Sequence, residues 1–371
     1  MHYRAAAETF IGDLEDFCQS DPTKKNDDIN KINLINFISE DEHYPGSLLV
    51  AVTRYIKRKP NSQLLRIHSN GSNELLAGTR NTRTDPVRSL TSISSFVQLN
   101  RTSMVIVDNL MNCIRLLHTP TKDVATISGK CFIDNGDEIH LLRPCQLIDG
   151  DVQSSRYCNI SSVSHLPGKS SSVLLPDGNT VRELNIDNQT VKTVFTHSTK
   201  STRINEIIWR EDFLLLSSNQ GLDAYYQNWT FKEHLTLLWI PTLTGQYYSQ
   251  IKEFHMSDLS KELIALTFIT EVMDNVIISD GYAQYVEYEI AVLYSLSKKT
   301  AIAILYDENT LDSLLPVYPS YLVASQSVTI YVSTGTSWKT RHYCSMLKTL
   351  AVKSELHGLL TMTGIIIAPI C

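Results

Sequence analysis

The chain reads as a succession of short runs rich in Val, Ile, Leu and Thr, each closed by Asn, Asp, Gly or Ser. SLLVAVT (47–53), QLLRIHS (63–69), SMVIVDN (103–109), NCIRLLH (112–118), SSVLLPD (171–177) and TVRELNI (180–186) carry the pattern in the first half. ELIALTFIT (262–270), EIAVLYSL (289–296), TAIAILYD (300–307), YLVASQ (321–326), SVTIYVST (327–334) and HYCSML (342–347) continue it. Runs of this length and composition predict strands. No long stretch after residue 30 has the 3.6-residue period of a helix, so the body is expected to be all-β and antiparallel. Residues 5–18 differ: Phe10, Leu14 and Phe17 recur at helical spacing and predict a short amphipathic helix. The polar DPTKKNDD (21–28) follows as a linker.

The strands repeat. VDNLMNCIRLLHTPTKDVATI (107–127) lies on LLPDGNTVRELNIDNQTVKTV (174–194) at an offset of 67, without a gap. Asn112 falls on Asn179, Ile114 on Val181, Arg115 on Arg182, Leu117 on Leu184 and Thr126 on Thr193. A weaker copy, QLLRIHSNGSNELLAG (63–78), sets Leu65 and Arg66 against Ile114 and Arg115. A small twisted sheet cannot bury both faces alone, whereas stacking such sheets around an axis does so and leaves only short edges. The expected fold is therefore a six-bladed β-propeller of four-stranded antiparallel blades. The blades are placed at 46–79, 90–129, 157–196, 204–238, 247–306 and 318–355, within a body spanning 32–355. An acidic extension (1–31) precedes the body and an apolar tail (356–371) follows it. INLINFIS (32–39) is a spare strand expected to pair into the last blade and close the ring. Val105, Val107, Ile114 and Leu116 are expected to pack between blades.

SMVIVDNLMNCIRLLHTPTKDVATISG (103–129) resembles an NHL repeat. Asp108, Asn112, Ile114, Arg115, Val124, Thr126 and Gly129 occupy the family's positions. The copy at 171–196 keeps Asn179, Val181, Arg182, Val191 and Thr193 but has Leu175 in place of the Asp, and the copy at 47–79 keeps Leu65, Arg66 and Gly78. The resemblance covers 47–197 and implies a six-bladed, TolB-like propeller more firmly than any activity. Asp108, Asn112, Arg115, Asn179, Arg182 and Arg66 read as fold residues, the Asp and Asn tying tight turns and the Arg pairing with such an Asp.

Charge and chemistry narrow the function. Residues 1–45 hold ten acidic and four basic residues, a net −6, and the other 326 hold 29 of each sign. The body is thus neutral, and nucleic acid is not the expected partner, since such binders show a basic face. No apolar run reaches 18 residues, so no helix of this chain spans a bilayer. Met1 to Phe10 lacks the apolar core of a signal peptide. The apolar LLTMTGIIIAPIC (359–371) reads as a last buried strand, or as the start of a membrane segment in a longer protein. The eleven His are scattered singly, and no GxSxG, HExxH, P-loop or GxGxxG motif occurs. No catalytic residue, cofactor or metal ligand is assigned.

The seven Cys include no CxxC spacing, but Cys131, Cys145 and Cys158 bracket the polar stretch 130–156. The spacing from Arg66 to Arg115 is 49 and from Arg115 to Arg182 is 67, so the surplus of 18 residues lies largely there. A disulfide within this trio, Cys131 with Cys145, would fix that long loop, and it requires an oxidising compartment. Free thiols are the other reading. Five N-x-S/T sequons, at Asn70, Asn100, Asn159, Asn188 and Asn228, are possible glycosylation sites. Together these features point to an extracellular or cell-surface setting, with a cytoplasmic one as the alternative. The expected function is a non-catalytic, monomeric propeller that binds a protein or glycan partner on one rim. The alternatives are a metal-dependent lyase or hydrolase at the central channel, as in some NHL-like propellers, and RNA binding, as in others.

Overall fold

A computed structural model describes residues 33–56, 59–68, 72–78, 90–129, 131, 147–210, 212–235, 250–258, 263–274, 284–297, 299–307, 317–324, 329–336, 346–354 and 360–365. The helix and linker expected before residue 31 lie outside them. The described residues are all-β, with no helix, and form six antiparallel sheets in chain order.

The first sheet holds β1 (Asn33–Glu40), β2 (Leu48–Ile56), β3 (Lys59–Ile67) and β4 (Asn73–Ala77). The second holds β5 (Ile93–Asn100), β6 (Ser103–Asp108), β7 (Cys113–His118) and β8 (Asp123–Ser128). In the third, β9 (Gly150–Asp151) pairs outside the meander of β10 (Ser164–His165), β11 (Ser172–Asp177), β12 (Thr180–Asn185) and β13 (Thr190–Thr196), against β13. The fourth holds β14 (Ile204–Trp209), β15 (Phe213–Ser218), β16 (Gly221–Tyr226) and β17 (Phe231–Leu235). The fifth holds β18 (Gln250–Asp258), β19 (Leu263–Asp274), β20 (Gln284–Ser295) and β21 (Thr300–Asp307). The sixth holds β22 (Val317–Ala324), β23 (Thr329–Thr336), β24 (Met346–Ser354) and β25 (Leu360–Ile365). Each sheet is built on a four-stranded up-and-down meander in sequence order, the arrangement of propeller blades, with β9 added to the third. The chain divides into two compact units after Trp209.

In the first unit the sheets stack face to face, and the strand period explains how. Along β6, Met104 and Ile106 point one way and pack with Leu49, Ala51 and Leu64 of the first sheet and with Phe96 and Leu117. Val105 and Val107 point the other way and pack with Ile114 and with Val173, Leu175, Leu184 and Val191 of the third sheet. Leu116 is half-buried against the same cluster. One strand thus buries both faces, as expected for a sheet between two neighbours. The first strands β1, β5, β10 and β14 lie side by side in turn.

Polar seams register these stacks. Asn36 is bulged out of the β1–β2 ladder, and its amide donates to Thr53 Oγ1 at 2.5 Å and to the carbonyl of Ile93 at 3.0 Å. Ser62 Oγ accepts from the Ile93 N–H at 3.1 Å and donates to the Thr91 carbonyl at 3.0 Å. Further on, Ser161, Ser162 and Ser164 donate to the carbonyls of Ile204, Asn205 and Ile207 at 2.8, 2.7 and 2.7 Å. Buried polar groups are tolerable only when satisfied in this way. In the second unit β15 lies beside β18, and β22 beside β18, β19 and β20.

One sequence expectation is corrected here. Residues 33–40 do not close the last sheet. They form β1 and pair along β2, from Asn33 opposite Arg54 to Glu40 opposite Leu48, with Phe37 set edge-on to Phe96 at 4.8 Å. The apolar residues of β1 have a ready face on the sheet that follows them directly, at no cost in long-range closure. At the other end, the last strand read in the apolar stretch 359–371 is present: β25 pairs with β24 as the fourth strand of its own sheet.

Candidate functional site

The residues singled out by the repeat, Arg66 apart, lie near the ends of their sheets where β6 turns into β7 and β11 into β12. Asp108 closes β6 and is fully buried. Its carboxylate accepts from the Thr91 and Ser92 N–H groups at 3.1 and 3.0 Å and from the Thr91 hydroxyl. It therefore holds the segment leading into β5, not its own turn as the sequence suggests. Burial pushes its pKa up, against the pull of those donors and of the Arg115 charge. The β6–β7 turn is closed instead by Asn112, left-handed at φ 48°, whose N–H donates to the Asn109 carbonyl at 3.1 Å. Arg115 is buried, with its pKa lowered by that burial, and donates to Thr126 Oγ1 at 2.6 Å.

The third sheet repeats the device with a different turn. Asp177 closes β11, is fully buried, and accepts from the Cys158 and Asn159 N–H groups at 2.9 and 2.6 Å. Its pKa is likewise raised by burial. β6 matches β11 at an offset of 69, whereas β7 matches β12 at 67. The gapless alignment is thus corrected: the four-residue turn 109–112 becomes the two-residue turn Gly178–Asn179, with Gly178 at φ 64°. The Asp is not replaced by Leu175; it is Asp177. Asn179 reaches the His197 carbonyl with its amide at 3.3 Å.

Arg182 is fully buried and stands 4.7 Å over the Tyr157 ring. It donates to the Ile148 carbonyl at 2.5 Å, to Asp149 at 2.8 Å and to the Arg156 carbonyl, and meets Asp177 at 3.4 Å. Arg66, aligned with it in sequence, sits at the opposite end of its sheet. It is the second-last residue of β3, far from the Ile56–Lys59 hairpin end. There it donates to Asp41 at 2.7 Å and Glu74 at 2.9 Å and lies 4.1 Å over Tyr44. It is an independent clamp, not a third copy.

The expected Cys131–Cys145 bridge is not formed. Cys131 is bonded to Cys113, with Cα atoms 5.2 Å apart. Cys113 begins β7 and Cys131 follows β8, which pairs with β7, so antiparallel pairing brings the two within reach. Spacing within the Cys131–Cys158 cluster could not reveal a partner supplied by the neighbouring strand. Cys158 is disulfide-bonded as well. Its partner is one of Cys18, Cys145, Cys344 and Cys371, all outside the described residues. Beside the bridge, Ser128 Oγ meets Ser155 Oγ at 2.9 Å and Tyr157 Oη at 2.7 Å. Burial pushes Tyr157 up to about 12. The β8 end and the lead-in to the third sheet are thus pinned together, and Leu110, in the turn 109–112, is exposed.

Of the sequon asparagines, Asn100, Asn188 and Asn228 are exposed, Asn159 is half-buried with its N–H engaged by Asp177, and Asn70 lies outside the described residues. Among the described residues no three His, Cys, Asp or Glu side chains gather as a metal site requires, and no helix is long and apolar enough to cross a membrane.

No family model and no curated protein matches the chain. Solved structures similar to it include the extracellular domain of a putative one-component system, BT4673, from B. thetaiotaomicron, at 11% identity and TM-score 0.45. That alignment covers 88% of this chain and 40% of the other, so the chain spans about two fifths of that structure. The β-propeller domain of Myceliophteria thermophila Cps50 (Swd1) aligns at 9% identity over 92% of this chain and 88% of that one, with TM-score 0.44. The computationally designed Ika8 protein aligns at 10% identity over 89% and 86%, with TM-score 0.41.

Proposed function

We propose that the chain is an extracellular or cell-surface interaction module: a monomeric, six-bladed, NHL-type propeller that binds a protein or glycan partner on one rim and carries out no chemistry of its own. The six successive sheets serve as its blades. The observation that carries the reading is the state of the rim residues. Asp108, Asp177, Arg115 and Arg182 are buried and bonded within the fold, which makes them supports for the strands and their lead-in segments and not reactive groups. Exposed turns held on a rigid scaffold are where binding residues reside. The Cys113–Cys131 bridge supports the oxidising compartment.

The test is to display the purified full chain on arrays of glycans and of cell-surface ectodomains, beside a Leu110→Asp variant. Saturable binding that the variant loses, with its melting temperature unchanged, is the expected result. Binding indifferent to Leu110→Asp would remove this rim from the reading. A hydrolase or lyase activity on any offered substrate would remove the non-catalytic part.

A further inference from the structure

We propose that Asn228 carries an N-linked glycan whose innermost N-acetylglucosamine lies on the Tyr226 ring. The inference deepens the cell-surface reading and rests on it. Asn228 stands at the tip of the β16–β17 turn, where the Tyr226 N–H donates to the Thr230 carbonyl at 2.9 Å and the Trp229 N–H to the Tyr226 carbonyl at 2.8 Å. Trp229 is left-handed at φ 67°, which turns the chain back sharply and leaves Asn228 and Thr230 exposed. Asn228 Oδ1 accepts from the Thr230 N–H at 3.0 Å and from the Thr230 hydroxyl, so the two side chains of the sequon already face each other.

The second observation is independent of the sequon. Four large apolar side chains are exposed among the described residues: Leu110, Leu147, Tyr226 and Phe231. The two aromatic ones flank Asn228, at 49% and 55% exposure. Tyr226 pairs across the sheet with Phe213, and Lys232 Nζ lies over both rings, at 5.8 and 4.2 Å. Phe231 meets Tyr225 edge-on at 5.6 Å. Water-facing aromatic surface of this kind calls for a cover. A pyranose ring supplies one, with an apolar face of C–H groups for the aromatic ring and hydroxyls for solvent. One residue, Gln227, separates Tyr226 from the glycosylated Asn228, so the first sugar reaches the ring without rearranging the turn. Two other sequons among the described residues lack one part or the other. Asn100 makes the same contacts with Thr102, but no exposed aromatic ring flanks it. The Ser161 hydroxyl of the Asn159 sequon is spent on the Ile204 carbonyl.

In the reaction, the Asn228 side-chain nitrogen attacks the anomeric carbon of a polyisoprenyl-diphosphate-linked oligosaccharide. The N–C bond forms as the C–O bond to the diphosphate breaks; the diphosphate lipid leaves with the electron pair, and one amide proton passes to a base.

The experiment expresses the full chain behind a secretion signal in mammalian cells, as wild type, Asn228→Gln, Thr230→Ala and Tyr226→Ala. Glycopeptide mapping should find Asn228 occupied in the wild type and in Tyr226→Ala, and unoccupied in the other two. Enzymatic removal of glycans from the folded protein should lower the melting temperature of the wild type by about 2 °C or more and leave Tyr226→Ala unmoved. An empty Asn228 on secreted, folded protein overturns the proposal, whether or not other sequons are filled. An equal drop in Tyr226→Ala overturns the stacking. Surface biotinylation of cells making the chain without the added signal reports the compartment separately, so failure of that reading is distinguished from failure of this site.

Discussion

Replacing Ile114 by Ala tests the stacking of the second sheet on the third. Ile114 is fully buried, opposite Val107 in the ladder and in one cluster with Val173, Leu175 and Leu184. The substitution removes three carbons. At about 0.8 kcal/mol per buried methylene, the transfer part alone is about 2.4 kcal/mol. The surrounding side chains come from two sheets whose backbones are fixed by their own ladders, so the site collapses only in part and a cavity adds to the loss. A total of about 3–4 kcal/mol follows, inside the usual span for such truncations. The assay is urea unfolding followed by tyrosine and tryptophan fluorescence, read as a shift in midpoint at constant slope. Leu116→Ala, half-buried on the same strand, is the control and should cost clearly less. A loss below about 0.5 kcal/mol, the size of a surface substitution, would show that Ile114 does not face the third sheet and would refute the stacking.

Cys131→Ser should cost about 3 kcal/mol, the closure entropy of a bridge between residues 18 apart, and mild reduction should destabilise the wild type similarly; a loss under about 1 kcal/mol in urea unfolding refutes this. Gly129→Ala should cost about 1–3 kcal/mol by the same assay, because φ is +79° and an added Cβ would stand 2.8 Å from the Asn112 carbonyl; an unchanged midpoint refutes it. Asp108 should titrate above the ordinary 3.8, so its stabilising contribution is fully present below the unfolded carboxyl's value and is lost as pH rises through the raised folded one; a carboxyl-carbon NMR midpoint at or below 3.8 would contradict this. Non-reducing peptide mapping should recover Cys113 with Cys131 and Cys158 with Cys145. The bridge of Ile148 with Arg156 leaves Cys158 two residues beyond it and Cys145 three before it, and Cys158 found on Cys18, Cys344 or Cys371 would refute the second pairing.

Much of the strand pattern is legible in the residues, because a strand between two neighbours must be apolar on both faces and end in turn formers. SMVIVDN and TVRELNI carry that constraint plainly, and Ile114 and Val181 fall on equivalent positions of β7 and β12. The turns are less legible. Gly178–Asn179 and the stretch 109–112 do the same work with two and four residues, so an ungapped alignment sets Asp108 against Leu175 and hides Asp177. Arg66 misleads for a related reason: its neighbours imitate the Ile-Arg pair of β7, while the register of β3 puts it at the other end of the sheet. The disulfide was beyond reach of spacing, since Cys113 and Cys131 are neighbours only through the pairing of β7 with β8. The aromatic flank of Asn228 could have been read from YYQNWTF (225–231), but its exposure could not, because it depends on the bulge that sets Tyr225 opposite Phe231.

Covalent and polar links of the first unit gather between its second and third sheets. Within a sheet every strand is held by its ladder, and between sheets the apolar clusters hold whole faces. The passage from the second sheet to the third, which leaves β8 at Ser128 and reaches β10 only at Ser164, takes a share of both, through β9 on β13 and through Val152, Tyr157, Ile160 and Val163 in the apolar cluster. Its near end is tied back to β7 by Cys113–Cys131. Its far part is tied by Cys158, by Asp149 and the Ile148 carbonyl on Arg182, and by Ser155 and Tyr157 on Ser128. A passage free at either end would lose ordering entropy on every encounter with a ligand, whereas one fixed at both ends has lost it already on folding. The buried Asp and Arg residues of the repeat therefore act on the segments that enter the sheets: Asp108 fixes Thr91 and Ser92 ahead of β5, Asp177 fixes Cys158 and Asn159, and Arg182 fixes Ile148, Asp149 and Arg156.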